Sequence, residues 1–217
     1  MNVLQVKQIN KMIKNKPILT DINLSLSAGV VYGFVGRNGS GKTMLFRALS
    51  GLMRINSGEI IYQGKRLHVD FPVLPNLGLT IENAGLYPEF TGFKNLQLLA
   101  KLNAKIDNTQ IRRAIERVGL DPDDKRTFRK YSLGMKQRIV LAQAIMEQPD
   151  IIMLDEPTNS LDEDGVRLIR QVITEEKERG AMVLLASHNK EDIQLLADHV
   201  FYLDAGRLSN EVIHHAE

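Results

Sequence analysis

Apolar positions along the chain follow two distinct periods. Residues 3–9 and 22–26 alternate apolar with polar side chains, which predicts half-buried strands of a small antiparallel sheet. Residues 30–35, 151–154 and 182–186 are short, nearly unbroken apolar runs bounded by turn residues, which predicts parallel strands covered on both faces. Between these runs, residues 93–102, 111–118 and 132–147 place apolar side chains three and four apart, the spacing of amphipathic helices. The predicted class is therefore α/β, with a mostly parallel core sheet, a small antiparallel part and a helical insert at about 82–147.

A chain of 217 residues suits one substantial domain, here spanning 1–217, and no repeat or low-complexity tract divides it. Apolar residues at 43% and charged residues at 25% match an ordinary globular protein. The 28 Lys and Arg against 26 Asp and Glu leave a net charge of +2, which gives no electrostatic reason to expect a nucleic-acid partner. With no cysteine, disulfides and thiolate metal sites are excluded. The opening MNVLQVKQIN lacks a charged segment followed by an apolar run, so no secretory signal is expected there. The longest apolar stretches, such as residues 181–186, fall well short of the roughly 18 residues of a spanning helix. Any membrane role is expected to run through a partner.

Directly after the apolar run 30–35 comes GRNGSGKT, residues 36–43, followed by the helix-like MLFRALSGL. Strand, glycine loop and helix in that order are the context of a P-loop. Glycine lets backbone N–H groups curl around phosphate oxygens, and the helix start adds free amides and the positive end of its dipole. Gly36, Gly39 and Gly41 supply that freedom, with Arg37, Asn38, Ser40 and Met44 completing the candidate ATP-binding loop. Lys42 would set its ammonium on the β and γ phosphates, and the Thr43 hydroxyl would hold Mg²⁺, a hard cation that prefers oxygen. A second motif, IIMLDEP, ends a strand with two adjacent carboxylates. Asp155 is placed to hold Mg²⁺ directly or in its second shell, and Glu156 to orient or deprotonate the water that attacks a phosphoryl group.

About 17 residues before Asp155 stands YSLGMKQR, residues 131–138. Here the chain resembles the nucleotide-binding domains of ABC transporters. Ser132 and Gly134 match the Ser and the second Gly of the LSGGQ-type signature, whereas Leu133 and Met135 depart from it. Ser132 also reads as a helix N-cap next to free amides able to take an anion. SLD at residues 160–162 resembles the D-loop, and His188 the switch histidine. The resemblance implies a P-loop NTPase fold of the ABC type, ATP and Mg²⁺ as ligands, and ATP hydrolysis. It also implies two ATP molecules held between two head-to-tail chains, with Ser132 and Gly134 of one chain meeting the γ-phosphate held by the other. The pair is then a homodimer or a dimer with a related ATP-binding chain, attached to transmembrane permease subunits at the cytoplasmic face of the membrane. Glu156, His188 and Lys42 become the catalytic residues.

Two positions differ from the family pattern. Ile13 occupies the place of the aromatic residue that covers adenine. Glu82 replaces the Q-loop glutamine and is left able to bind through Mg²⁺ or water. IEN, YPEFTGFKNL and YSLGMKQR together resemble the subfamily of bacitracin and lantibiotic transporters, which implies export of peptides or drugs. The exposed-looking LYPEF stretch is a candidate docking surface for a membrane subunit. Two other functions remain open: a non-transport ABC ATPase, and a weakly hydrolysing nucleotide-sensing module.

Overall fold

The computed structural model describes residues 3–81 and 85–211. The chain starts with a long hairpin, β1 (Val3–Ile13) and β2 (Lys16–Ser27), then β3 (Val31–Val35) and α1 (Lys42–Ser50). β4 (Ser57–Tyr62), β5 (Lys65–Arg66) and β6 (Leu77–Thr80) follow, then the helices α2 (Gly92–Asn103), α3 (Asn108–Arg117) and α4 (Leu133–Ile145). The last part comprises β7 (Ile151–Asp155), α5 (Glu163–Glu178), β8 (Met182–Ala186), α6 (Lys190–Leu196), β9 (His199–Asp204) and β10 (Arg207–Glu211).

The expected split into two kinds of strand is present. β2, β1, β4 and β5 form an antiparallel sheet in that order, and the second sheet runs β10-β9-β3-β8-β7-β6, parallel except where β10 pairs with β9. The hairpin is longer than the alternation suggested, because bulges interrupt its period: the β1–β2 register shifts between Val6 and Ile9, between Ile9 and Lys11, and between Lys11 and Met12. At the bulges side-chain amides replace ladder partners, with Gln8 N–H donating to Asn23 Oδ1 at 2.9 Å and Asp21 N–H to Asn10 Oδ1 at 3.0 Å. The three predicted helices are α2, α3 and α4. Thr91, Asp107 and Ser132 cap them, each accepting a backbone N–H of the first turn.

The parallel strands are covered on both faces, as their apolar runs require. On one side Ile152, Leu154, Val183 and Leu185 pack with residues of α2 to α6. On the other, Ile151, Met153, Met182 and Leu184 pack with the antiparallel sheet and with Leu45, Phe46 and Leu49 of α1. His68 is half-buried, with its Nε2 out of solvent. Its backbone N–H bonds Phe71 O at 2.7 Å.

α4 lies directly on β6. A Cβ on Gly78 would sit 2.0 Å from Ala144 O, so only glycine permits this approach. Gly78→Ala should therefore destabilise the protein by about 1–3 kcal/mol through overpacking. Denaturant unfolding checks this, and an unchanged midpoint would mean that α4 can lift off β6 without cost.

Candidate functional site: a phosphate loop facing a carboxylate pair

A cleft of about 1040 Å³ opens at the C-terminal ends of the parallel strands, where open α/β sheets gather ligand-binding groups. Asn38, Gly39, Ser40, Gly41, Lys42, Thr43 and Met44 line one wall, and Asp155 and Glu156 lie opposite. The loop's shape depends on two glycines in particular. Gly41 caps α1 at φ +112°, and a Cβ on Gly36 would stand 2.3 Å from Leu203 O. Lys42 is buried, and its ammonium donates to Gly36 O at 2.6 Å and to Arg37 O at 3.5 Å. An ammonium has three donors, so this arrangement holds a cation on the loop with capacity for an anion. Ser40 Oγ is buried with no partner, an orphaned polar atom in the loop itself.

Thr43 Oγ1 donates to Asp155 Oδ2 at 2.5 Å, joining the start of α1 to the end of β7. A hydroxyl and a carboxylate in contact are the hard-oxygen pair that Mg²⁺ accepts. The chemistry of the donor set therefore fits. Among the described residues no three His, Cys, Asp or Glu gather as a metal cage. Glu82 lies outside the described residues.

Glu156 has a different set of partners. It is in the left-handed region at φ +51°, uncommon for a non-glycine residue and often found at functional sites. Its N–H donates to Ala186 O at 2.8 Å, and its carbonyl accepts from Gln137 Nε2 at 3.2 Å. Its carboxylate Oε2 lies 2.8 Å from His188 Nδ1 and 3.3 Å from His188 N. A carboxylate can only accept, so Nδ1 carries the proton and Nε2 faces away from Glu156. This bond fixes both the tautomer and the direction of the imidazole.

The structure thus brings Lys42, Thr43, Asp155, Glu156 and His188 together. It does not bring Ile13, Ser132 or Gly134 to the cleft wall; Gly36, Arg37 and His188 also stand outside it, His188 joined to it through Glu156. Ile13 ends β1 opposite Lys16, before a two-residue turn in which Lys14 and Asn15 have φ of 47° and 62°, so Pro17 and Ile18 line the cleft instead. Ser132 is exposed at the start of α4, its hydroxyl accepting Met135 N–H at 3.2 Å. Gly134 abuts Ser160 O, which a Cβ would approach to 3.0 Å. Arg37 is exposed and contributes its carbonyl, not its side chain. Sequence reasoning missed Arg47, Thr80, Gln137, Val140 and Asn159, as well as Ala205 and Gly206 from the β9–β10 turn. None of these positions carries a local signal in the sequence, because each reaches the cleft through tertiary packing.

A glycine loop between a parallel strand and a helix, facing a carboxylate pair two strands away, defines a nucleotide-binding protein of the P-loop class. The chain belongs to the ABC transporter family, as one of its ATP-binding subunits: the family model described as ABC transporter matches residues 19–159. It is 44% identical over 214 residues to the uncharacterized ABC transporter ATP-binding protein YybJ of Bacillus subtilis, covering 98% of each chain. It is 34% identical over 212 residues to the bacitracin transport ATP-binding protein BcrA of Enterococcus faecalis, covering 97% of this chain and 69% of that one. To the lantibiotic transport ATP-binding protein SrtF of Streptococcus pyogenes it is 31% identical over 206 residues, covering 95% of this chain and 89% of that one. Among solved structures, an ATP-binding subunit of an ABC transporter superposes with a TM-score of 0.87 at 25% identity, over 97% of this chain and 90% of that one. A dimeric ATP-binding cassette in a post-hydrolysis state with ADP and Pi has the same fold, with a TM-score of 0.87 at 20% identity over 98% and 99% of the two chains.

Proposed function

We propose that this chain is a Mg²⁺-dependent ATPase that works as a pair beneath transmembrane permease subunits and powers export of peptides or drugs. One observation carries the reading: the cleft gathers an anion-binding loop, a Thr–Asp oxygen pair and a His-bound carboxylate, while the signature residues Ser132 and Gly134 lie outside it. A second chain, placed head to tail, would supply those two residues, whether it is an identical copy or a related subunit. The whole of 1–217 then acts as one domain, with a helical subdomain at about 82–147 reaching toward the partner.

Thr43 and Asp155 would hold Mg²⁺, with Glu82 as a further candidate, and the ion would neutralise charge on the β and γ phosphates. Lys42 and the loop amides bind and orient the triphosphate. Glu156 aligns the attacking water and takes its proton, and His188 holds the carboxylate in place. Ile13 is retained as a candidate adenine contact, next in the hairpin to Pro17 and Ile18, which line the cleft.

Among the described residues no helix is long and apolar enough to cross a membrane, so membrane attachment would come through the permease. Tyr87 and Phe90, at 58% and 39% exposure, pack against each other with ring centroids 5.5 Å apart and offer an apolar docking surface. Export of peptides or drugs is supported by the similarity to proteins named for bacitracin and lantibiotic transport.

Steady-state ATPase activity of the purified chain with and without Mg²⁺, alongside light scattering with and without ATP, tests this reading. Metal-dependent turnover and an ATP-dependent shift from monomer to dimer are expected. Absence of both, even with candidate membrane subunits present, would reject the motor and favour a nucleotide sensor.

A further inference from the structure

α4 contacts the loop that follows β7 at three successive points. Gly134 lies flush against Ser160 O, Gln137 Nε2 donates to Glu156 O at 3.2 Å, and Arg138 Nη2 bonds Asp162 Oδ1 at 3.0 Å. At its other end the helix rests on β6 at Gly78. Ala186 fixes the N–H of Glu156, and His188 its carboxylate, while its carbonyl is shared between Gln137 and Asn159 N–H at 3.3 Å. Asn159 belongs to the same loop and would move with it. Gln137 is therefore the contact that ties the Glu156 carbonyl to α4, as Ala186 ties its N–H to β8.

The geometry points to Gln137 as a positioning residue for hydrolysis, one that holds the Glu156 peptide in its left-handed conformation and so makes the aim of the carboxylate depend on where α4 sits. The physical reason is the unusual backbone. At φ +51° Glu156 has no strong preference of its own for this rotation, and the surrounding bonds must impose it. Loss of the Gln137 bond removes one restraint on the left-handed backbone, and a Glu156 Cα that leaves this conformation re-aims its side chain. A shift of α4, whose exposed start carries Ser132 and Leu133, is thus transmitted to the reacting carboxylate through the Gln137–Glu156 hydrogen bond.

This inference rests on Glu156 handling the attacking water. Gln137→Met keeps the shape and removes the donor, while Gln137→Glu keeps the size and turns an acceptor toward the carbonyl. With the full chain, Gln137→Met should lower kcat roughly five- to tenfold, as expected for loss of one positioning hydrogen bond. KM, equilibrium ATP affinity and the thermal midpoint should stay near wild type, and Gln137→Glu should be the slower of the two. Unchanged kcat in Gln137→Met, a change confined to KM, or a Gln137→Glu variant as active as wild type would overturn the assignment. Glu156→Gln measured beside them separates the two levels: if wild type turns over and Glu156→Gln does as well, the role of Glu156 fails and this inference with it. If only Glu156→Gln is inactive, Gln137 alone has been misread.

Discussion

Glu156→Gln is expected to lower steady-state ATP turnover by about 10²- to 10⁴-fold, the range associated with removing a positioned general base. ATP binding should survive, because the proposed site assigns the triphosphate to the loop, Lys42 and Thr43 and not to Glu156. The amide has the same size and still accepts at one atom, so His188 retains a partner, yet it cannot take a proton from water. Removing a negative charge beside the γ-phosphate should also favour the ATP-loaded state. The variant should therefore accumulate as an ATP-bound dimer, visible by light scattering under conditions where wild type cycles back to monomer. Turnover within about tenfold of wild type would place the base elsewhere in the cleft.

The second large effect concerns stability. Asp192 in α6 is fully buried, and its carboxylate accepts from Thr158 Oγ1 at 2.5 Å and from Arg170 Nε at 2.7 Å. Arg170 also donates to Glu191 at 3.0 Å, and that hydrogen bond holds the Glu191 carboxyl below its usual range. These contacts tie the loop after Glu156 to α5 and to the helix that follows His188. Asp192→Ala removes one partner of a buried pair and should cost about 3–5 kcal/mol. Asp192→Asn, which can still accept from Thr158, should lose less. Urea or guanidinium titration measures both, and a loss below about 1 kcal/mol for Asp192→Ala would mean that water or Glu191 takes over Arg170.

The candidate site's loop and carboxylate pair were legible because each is local in sequence. GRNGSGKT and IIMLDEP each place the needed residue types within a few positions of one another, and the apolar runs before them mark the strands that bring the two motifs face to face. Much of what surrounds them depends on distant parts of the chain. Gln137 looks like any polar residue on a helix until α4 is laid across the Glu156 peptide 19 residues on. Asp192 looks like a first-turn acid, favoured there by the helix dipole, until Thr158 and Arg170 close over it. Pro17, Ile18, Ala205 and Gly206 reach the cleft because Gly206 pairs with Thr20, its carbonyl accepting Thr20 N–H at 2.8 Å, which joins the hairpin to the β9–β10 turn. The length of the hairpin was hidden for a related reason. Bulges break a period-two pattern, and nothing in the sequence marks Asn10 and Asn23 as the amides that repair them.

Successive residues of β7 and β8 point into opposite cores: Ile151 and Met153 into one and Ile152 and Leu154 into the other, with Met182 and Leu184 against Val183 and Leu185 repeating the division. These two strands are thus a common wall, and neither core can melt while the other keeps its packing. Amide hydrogen exchange should show the two sides opening as one cooperative unit. The nucleotide cleft stands at the edge of this wall, so a void made in the helical half will loosen the backbone beneath Asp155 as much as one made beside α1.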